Sequence, residues 1–278
     1  MCLYYVFTSK VSLTMGVSKI SFILLLVAWS VQGDAEGFTS NSGGQEPDTR
    51  VVGGKEAPEK LVPHQVALQL KDGWTFCGAA VISDRWILTA AHCVKSRKPA
   101  DFMAVVGTLS RTKGGTKYEI SKVIPHKEHN KPNKFKNDIA VISTKKAIEF
   151  NKNVQPLPLP TKDIKAGLWC ILSGWGKLGE NERSPDKLQY LYVRTLTGEQ
   201  CNKYFKGRSP VTINSSQMCT LNKRGEGTCQ GDSGGSLVCN GTSAGIVSFN
   251  WPCANNFPDT YANTYKYNSW IKENTKSP

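Results

Sequence analysis

The 278-residue sequence lacks several features that would place it in other classes of protein. The apolar run from Ile20 to Ala28 is too short for a membrane span, and no later segment is long and apolar enough. The lysines are scattered without a run of five, and no nucleic-acid-binding motif accompanies the net charge of +13. No Cys-x-x-Cys pair occurs, which argues against a zinc site. We therefore expect a soluble, basic protein that binds neither nucleic acid nor a membrane.

The first fifty residues differ in composition from the rest of the chain. A short, positively charged lead starts at Met15, an alternative start site, and is followed by the apolar run and by the small residues Val31 to Gly33. This order predicts a secretory signal peptide over residues 1–33 and a secreted product. Residues 34–50 are polar and rich in Gly and Ser, which indicates an extended, protease-accessible segment. Removing all fifty leaves residues 51–278 with a net charge of +14.

The cysteine count agrees with export. Of nine cysteines, Cys2 falls in the predicted signal peptide, and an even set of eight remains. In an exported chain such a set predicts four disulfides, although eight cysteines allow many pairings. The eight are Cys77, Cys93, Cys170, Cys201, Cys219, Cys229, Cys239 and Cys253.

After Arg50 the chain consists of short β-rich runs separated by turn residues. Gly, Pro, Asn and Asp punctuate these runs at the intervals expected of an all-β barrel or sandwich. Two β units of about 110 residues would fit the length. The only convincing helix is predicted at the end, from Tyr265 to Thr275. The clearest predicted strands are Val66–Leu70, Ala79–Ile82, Trp86–Leu88, Ala104–Val106, Ile139–Ile142 and Gly245–Phe249.

Three short motifs carry candidate catalytic groups. Ser233, in CQGDSGGS, needs a base to take its proton if it is a nucleophile. His92 stands out as that base because it follows the strand-like run LTAA and precedes a cysteine, and Asp138 in NDIAVI is placed to orient it. Each residue alone is more often a packed histidine, a turn acid or a loop serine. The other candidate bases are His64, His126 and His129.

With TAAHC, NDIAV and GDSGG in this order, 46 and 95 residues apart, the sequence resembles the chymotrypsin/trypsin family of secreted serine proteases. The resemblance extends from Val51 to about Thr275. It implies two six-stranded antiparallel β-barrels and a C-terminal helix, with the catalytic groups at the junction of the barrels. It also implies that Ser233 is the nucleophile, His92 the general base and acid, and Asp138 the acid that fixes the imidazole tautomer.

The resemblance implies an oxyanion hole and an activation site as well. The backbone N–H groups of Gly231 and Ser233 would bind the developing oxyanion. Arg50-Val51-Val-Gly-Gly matches a site where an activating trypsin-like protease cuts after a basic residue. The new ammonium of Val51 would then pair with Asp232, so Asp232 is expected to be a conformational latch and residues 34–50 an activation propeptide.

The same family pattern selects one disulfide pairing and excludes a calcium site. The loop from Gly107 to Glu128 offers Lys113, Lys117 and a single Glu119 where calcium-binding members supply several oxygen ligands. We therefore expect no metal and no other cofactor. The implied bridges are Cys77–Cys93, Cys170–Cys239, Cys201–Cys219 and Cys229–Cys253.

The residues that match the substrate pocket point away from trypsin-like specificity. Gly227 stands at the floor, where trypsin-like members have aspartate, and Asn250 and Asp259 stand where an open pocket has glycines. Ser248 matches a strand position that pairs with the substrate backbone. This set resembles arthropod chymotrypsin-like and broad-specificity collagenolytic members. We expect cleavage after large apolar or aromatic residues, with tolerance of basic residues as the alternative.

A few further expectations complete this interpretation. The domain over residues 51–278 is expected to be a monomer that acts on proteins or peptides and is blocked by protein protease inhibitors. Asn214 and Asn240 lie in N-x-S/T triplets and are candidate glycosylation sites. A non-catalytic homologue that only binds proteins is the other alternative, although such homologues typically lose Ser or His.

Overall fold

A computed structural model describes residues 51–250 and 252–276. The predicted signal peptide and the predicted propeptide with Arg50 lie outside the described residues. The first element is the two-residue strand β1, Lys55–Glu56. Two β-barrels follow it, and none of the helices in the described ranges has the length and hydropathy needed to cross a bilayer.

The N-terminal barrel is closed by six antiparallel strands. They pair in the order β2-β3-β4-β7-β6-β5, and β5 returns to β2. The strands are β2 Gln65–Leu70, β3 Thr75–Val81, β4 Trp86–Thr89, β5 Phe102–Val106, β6 Thr116–Pro125 and β7 Ala140–Thr144.

The C-terminal barrel has the same strand number. Its strands pair in the order β9-β10-β13-β12-β11-β8, β8 closes the ring on β9, and β1 extends the sheet at β9. The strands are β8 Trp169–Gly174, β9 Gln189–Leu196, β10 Gln217–Thr220, β11 Ser236–Cys239, β12 Thr242–Phe249 and β13 Asp259–Asn263. The expected pair of six-stranded barrels is confirmed, and all six predicted strands lie in observed ones to within one residue at an end.

Strand β2 is buried on both of its faces, one inside the N-terminal barrel and the other against the C-terminal half. Successive side chains of a strand point to opposite faces. Val66 and Leu68 point into the core of the N-terminal barrel. Ala67, between them, packs with Trp175 and Leu188 of the C-terminal half. The run is therefore buried on both faces and lacks the polar alternation of a half-exposed strand.

Polar contacts also fix one barrel against the other at the junction. The Ser173 hydroxyl at the end of β8 donates a 2.8 Å hydrogen bond to the Gln65 side-chain oxygen of β2. The backbone N–H of Gly78 in β3 donates to the carbonyl of Ser233, also at 2.8 Å. The second contact ties the serine loop of one barrel to a strand of the other.

The predicted helix at the end of the chain is confirmed, but the expectation that it is the only one was wrong. The end of the chain forms a 3₁₀ turn, Thr264–Tyr267, followed by helix α3, Asn268–Asn274. Two further helices are present, α1 at Ala91–Val94 and α2 at Gly198–Phe205. Helix α2 begins with a capping box in which the side chains of Thr197 and Gln200 each bond the other's backbone N–H. Its apolar stripe is too short to show in the sequence, because only Cys201 and Phe205 are buried.

The four disulfides have the pairing that the family resemblance implied. The bridge Cys77–Cys93 joins β3 to helix α1, and Cys201–Cys219 joins α2 to β10. The other two, Cys170–Cys239 and Cys229–Cys253, join β8 to β11 and the serine loop to the segment after β12.

Candidate active site

His92 and Asp138 form a closely bonded pair at the junction. The short helix α1 begins where β4 ends, and it presents the His92 ring with its side chain about one third exposed (34%). Nδ1 of His92 lies 2.7 Å from Oδ2 of Asp138, and the backbone N–H of His92 donates to Oδ1 at 2.8 Å. The carboxylate therefore holds both the ring and its backbone. With Nδ1–H donating to Asp138, Nε2 is left as the acceptor that a general base requires.

Besides the two bonds from His92, Asp138 accepts a third hydrogen bond, and its donor lies in the other barrel. The hydroxyl of Ser248, in β12, donates to Oδ2 at 2.6 Å. Asp138 is 1% exposed, and this burial alone would raise the pKa of its carboxyl. The hydrogen bonds and charge of His92, together with the Ser248 hydroxyl, outweigh burial and hold the pKa below its usual value. Asp138 is thus ionised throughout the neutral range.

Ser233 lies beside the histidine segment. The carbonyl of Ser233 accepts the N–H of Gly78, and Cys77, the neighbour of Gly78, is bridged to Cys93, the neighbour of His92. Among the described residues no hydrogen bond joins the Ser233 hydroxyl to the His92 ring, whose Nε2 lies 3.7 Å from the sulfur of Cys93. Such catalytic bonds are commonly long without substrate and tighten in the complex.

The loop before Ser233 has two backbone donors without acceptors. The N–H groups of Asp232 and Gly234 bond the carbonyls of Cys229 and Val247. Within the described part of the chain, the N–H groups of Gly231 and Ser233 bond no acceptor. Gly231 has φ +103°, which disfavours any residue with a side chain, and a Cβ there would meet Gly176 at 3.0 Å. The arrangement leaves two adjacent donors for an anionic oxygen.

Asp232 is turned away from Ser233 and buried behind the loop. Its carboxylate accepts the N–H of Gly176 at 2.8 Å and of Cys229 at 2.9 Å, and it is 1% exposed. A Cβ on Gly174 or Gly176 would overlap it, so both glycines are required by its position. Burial raises the pKa of Asp232 to about 6, and the two N–H donors only partly offset this.

Val51, the residue after the predicted cleavage site, is fully buried. It packs in the cluster that contains Leu172 of β8, the strand that ends at Gly174, one of the two glycines around Asp232. Its nitrogen is still an amide to Arg50 in the uncut sequence and carries no charge. Among the described residues no cation lies within ion-pair distance of Asp232.

The candidate substrate pocket has a carboxylate at its floor. A Cβ on Gly227 would lie 2.6 Å from Oδ2 of Asp259, so the Asp259 side chain fills the space that a larger residue at 227 would need. Thr228 holds this carboxylate with its backbone N–H at 2.8 Å and its hydroxyl at 2.7 Å. The Asn250 amide donates to the Thr228 hydroxyl at 3.0 Å. Hydrogen bonds therefore link Asn250 in the wall of the candidate pocket, through Thr228, to Asp259 at its floor.

Asp259 differs from Asp138 in having no imidazole partner among the described residues. Burial raises the pKa of Asp259 to about 7, and the nearby Asp232 adds to this, while the bonds from Thr228 act in the opposite direction. The carboxyl is therefore only partly ionised at neutral pH.

The other histidines are not placed as bases for Ser233. His64 is buried under the N-terminal barrel, and burial lowers its pKa to about 4. His126 packs against the rings of Tyr267 and Trp270. His129 Nε2 lies 3.4 Å from Asp138 Oδ1, on the side of the carboxylate away from the His92 ring bond. His129 is thus a neighbour of the candidate site that the sequence analysis did not place there.

The metal and glycan candidates can also be placed. His92 lies within 4.8 Å of Cys77 and Cys93 in a possible ligand group, but the two sulfurs are bonded to each other and supply no thiolate. Asn240 is exposed in the tight turn between β11 and β12. Asn214 is half-buried, and its side-chain oxygen accepts two bonds from Ser216. Asn240 is therefore the more accessible glycan acceptor.

Two contacts at the site were not predicted from the sequence. Ser248 was assigned to substrate backbone pairing, and its hydroxyl in fact bonds Asp138 as well. Thr228 was not singled out, yet it connects Asn250 to Asp259. Its position next to Gly227 was the available signal, since a hydroxyl beside a pocket floor is well placed to bond a buried carboxylate.

Two antiparallel barrels with a serine, a histidine–aspartate pair and a donor loop at their junction define a chymotrypsin-type serine endopeptidase. The comparisons with known proteins agree. The Trypsin family model matches residues 51–271, and the chain belongs to this family. Trypsin I-P1 of Gallus gallus is 39% identical over 239 residues, which cover 84% of this chain and 92% of that protein.

Two further matches extend the comparison. Chymotrypsin-2 of Vespa crabro is 36% identical over 225 residues, covering 81% of this chain and 99% of that one. A solved structure described as neuropsin, a serine protease expressed in the limbic system of mouse brain, superposes with a TM-score of 0.73 at 30% identity. It covers 80% of this chain and 99% of that chain. Relatives named trypsin and chymotrypsin match at similar identity, so overall similarity does not choose a specificity.

Proposed function

We propose that the protein is a secreted serine endopeptidase made as a zymogen, with residues 51–278 as its protease domain. We further propose that it cleaves after large apolar or aromatic residues. The observation that carries the catalytic part is the Asp138 carboxylate, which bonds His92 twice and Ser248 once at the barrel junction. This arrangement supports a Ser233–His92–Asp138 triad.

The roles of the three groups follow from their geometry. Ser233 attacks the substrate carbonyl and His92 Nε2 takes the hydroxyl proton, which it later gives to the leaving amine. Asp138 holds the ring in the tautomer with Nδ1–H and stabilises the imidazolium that forms. The N–H groups of Gly231 and Ser233 bind the oxyanion, a contribution of about 3 kcal/mol per donor in such sites.

Activation is assigned to cleavage between Arg50 and Val51. A buried carboxylate that bonds only two N–H groups is poorly compensated, and Asp232 is in this state in the uncut chain. The ammonium created on Val51 would supply the missing positive charge. Pairing with it would fix the loop that carries Gly231, which couples the cut to the oxyanion hole.

The residues of the pocket support the proposed cleavage after large apolar or aromatic residues. Gly227 has no charge of its own, and the Asp259 carboxyl behind it is bonded by Thr228 and has a pKa raised to about 7. An apolar or aromatic side chain therefore meets no full negative charge. The inward position of the Asp259 carboxylate favours one alternative, some tolerance of lysine or arginine.

The proposal is tested on the purified chain after controlled cleavage at Arg50. The expected result is a new terminus at Val51, the appearance of activity, and a peptide-library profile led by Phe, Tyr and Leu before the cut bond. An Arg50→Gln variant treated in the same way is expected to stay inactive. Full activity of that variant without a Val51 terminus would disprove the latch.

The same preparation tests the remaining parts of the proposal. A cleaved, folded chain that hydrolyses no library peptide would instead be a binding protein of the protease fold. Expression from the full sequence is expected to yield a monomer in the medium, with a glycan at Asn240, that protein protease inhibitors block. Retention of the product in the cells would contradict secretion.

A further inference from the structure

A cavity of about 540 Å³ lies beside the oxyanion segment and outside the pocket described above. Gln230 and Gly231 form its edge nearest Ser233, and the aromatic rings of Trp74, Phe76 and Trp175 line it. Trp74 is 59% exposed, and only Trp169 among the large apolar side chains of the described ranges is as exposed. An exposed ring at the edge of a cavity suits contact with a peptide.

The position of this cavity relative to Ser233 decides which part of a substrate enters it. The residue before the cut bond enters the pocket of Gly227 and Asp259, and the chain leading to it runs along the end of β12 at Ser248 and Asn250. The leaving half of the substrate must therefore depart on the other side of Ser233. The cavity begins there, at Gly231, and shares no lining residue with that pocket or with the end of β12.

The charged residues around the cavity are mostly basic. Arg111, Lys177 and Arg183 line it together with a single acid, Glu182. Lys177 is held next to the oxyanion segment because its backbone N–H donates to the carbonyl of Gln230 at 2.8 Å. In the described residues neither Lys177 nor Arg183 has a carboxylate within 4 Å.

Arg111 also lines the cavity and is held by two contacts. Its guanidinium lies 5.6 Å from the centre of the Trp74 ring and donates through Nε to the carbonyl of Pro185 at 3.2 Å. The nearby carboxylate of Asp186 accepts the hydroxyls of Ser110 and Thr112, and the charge of Arg111 also acts on it. Lys177 and Arg183 are therefore the cations that remain available to a ligand.

We propose that this cavity, the leaving-group site, selects substrates with an aspartate or glutamate within the first three residues after the cut bond. The inference rests on the proposed function, because it assigns the second half of the same substrate. A carboxylate there would meet the cations of Lys177 and Arg183 and pack its chain against Trp74. Each exposed pair is worth a few-fold in binding, so together they are expected to give about a ten-fold preference.

The test uses the full chain cleaved after Arg50 and quenched peptides of identical sequence up to the cut bond. Three matched sets carry Asp, Asn or Lys at the first, the second or the third position after it. The expected kcat/KM decreases from Asp to Asn to Lys, by about ten-fold overall. The ratio is expected to fall towards one in about 1 M salt, where charges are screened beyond roughly 3 Å.

Variants assign the effect to the cavity. Lys177→Glu is expected to reverse the order of the Asp and Lys peptides, and Lys177→Gln with Arg183→Gln to bring their ratio close to one. Lys145→Gln with Lys146→Gln is the matched control, because these lysines line a different cavity and should leave the ratio unchanged. The ratio is read within one enzyme preparation, so a general loss of activity does not affect it.

The possible failures are distinguishable. Equal rates of hydrolysis within all three sets, or a Lys177→Glu enzyme that keeps the Asp preference, would overturn this inference and leave the proposed function standing. Absence of hydrolysis of any peptide would count against the proposed function itself. An equal change in the Lys145→Gln, Lys146→Gln control would mean that net charge, and not this cavity, sets the preference.

Discussion

Asp138 in the N-terminal barrel and Asp232 and Asp259 in the C-terminal barrel are almost equally buried, at 1%, 1% and 5% exposure. Their carboxyl groups nevertheless behave in opposite ways. The pKa of Asp138 is held below its usual value, whereas the pKa values of Asp232 and Asp259 rise to about 6 and about 7. Burial raises the pKa in all three, so the difference comes from their partners.

Asp138 bonds an imidazole, a hydroxyl and a backbone N–H, whereas the other two bond only N–H groups and a hydroxyl. One side of the junction is therefore electrostatically complete in the uncut chain. On the other side, Asp232 and Asp259 have no cationic partner among the described residues. We assign the Val51 ammonium as the partner of Asp232 and a basic substrate side chain as the partner of Asp259. The hydrogen-bond partners of a buried carboxylate, more than its burial, therefore decide whether it is ionised in the uncut chain or needs a further positive group.

The largest loss of activity is expected from substitutions in the proposed Ser233–His92–Asp138 triad. Ser233→Ala or His92→Ala should each lower kcat by about 10⁴-fold to 10⁶-fold, and the double variant should be no worse than either, because the groups act as one unit. Steady-state kinetics on the cleaved enzyme measures this, with circular dichroism as the check on folding. A double variant far slower than both singles would contradict a shared mechanism.

The second prediction concerns the pocket carboxylate. Asp259→Gly should remove cleavage after arginine and leave or improve cleavage after phenylalanine, since a lost ion partner in a semi-enclosed site changes such a ratio by up to a few hundred-fold. In the parent enzyme the Arg-to-Phe ratio of kcat/KM should rise with pH as Asp259 ionises around pH 7. Matched Arg and Phe substrates measured from pH 6 to 8 give both results. A ratio that neither pH nor the substitution alters would show that Asp259 does not meet the substrate.

The third prediction concerns Asp232 in the uncut chain. Its pKa is raised from 3.8 to about 6 in the folded state, so folding favours the protonated form. The stability present near pH 4 is therefore lost as pH rises towards 6, by about 3 kcal/mol for a shift of two units. Chemical unfolding of an uncut Ser233→Ala chain should show this loss between pH 4 and 7.

Two comparisons isolate that effect. The matched Asp232→Asn chain should lack this part of the pH dependence, whatever its absolute stability. After cleavage at Arg50 the loss should also disappear, because the Val51 ammonium stabilises the ionised carboxylate. If the free energy of unfolding depends on pH equally in the uncut and cleaved chains, Asp232 does not pair with the Val51 ammonium and is not the activation latch.

The sequence was most informative where a residue's role depends on its neighbours in the chain. The strands, the three motifs and the glycine at 231 could be predicted because each depends on local pattern or local backbone conformation. Helix α2 could not be predicted, because two buried residues and a capping box over eight positions resemble a loop. The link from Asn250 through Thr228 to Asp259 joins residues 22 and 31 positions apart and required the folded pocket.

By itself the sequence determined the double β-barrel, the candidate triad and, through the family resemblance, the disulfide pairing. It did so because those features recur as short strings of residues at characteristic spacing. Only the tertiary structure decided the state of the three buried carboxylates and the basic character of the leaving-group site. A pKa depends on which dipoles and charges surround a group in space. Those neighbours, such as Ser248 for Asp138 and Gly176 for Asp232, are 110 and 56 residues away in the chain.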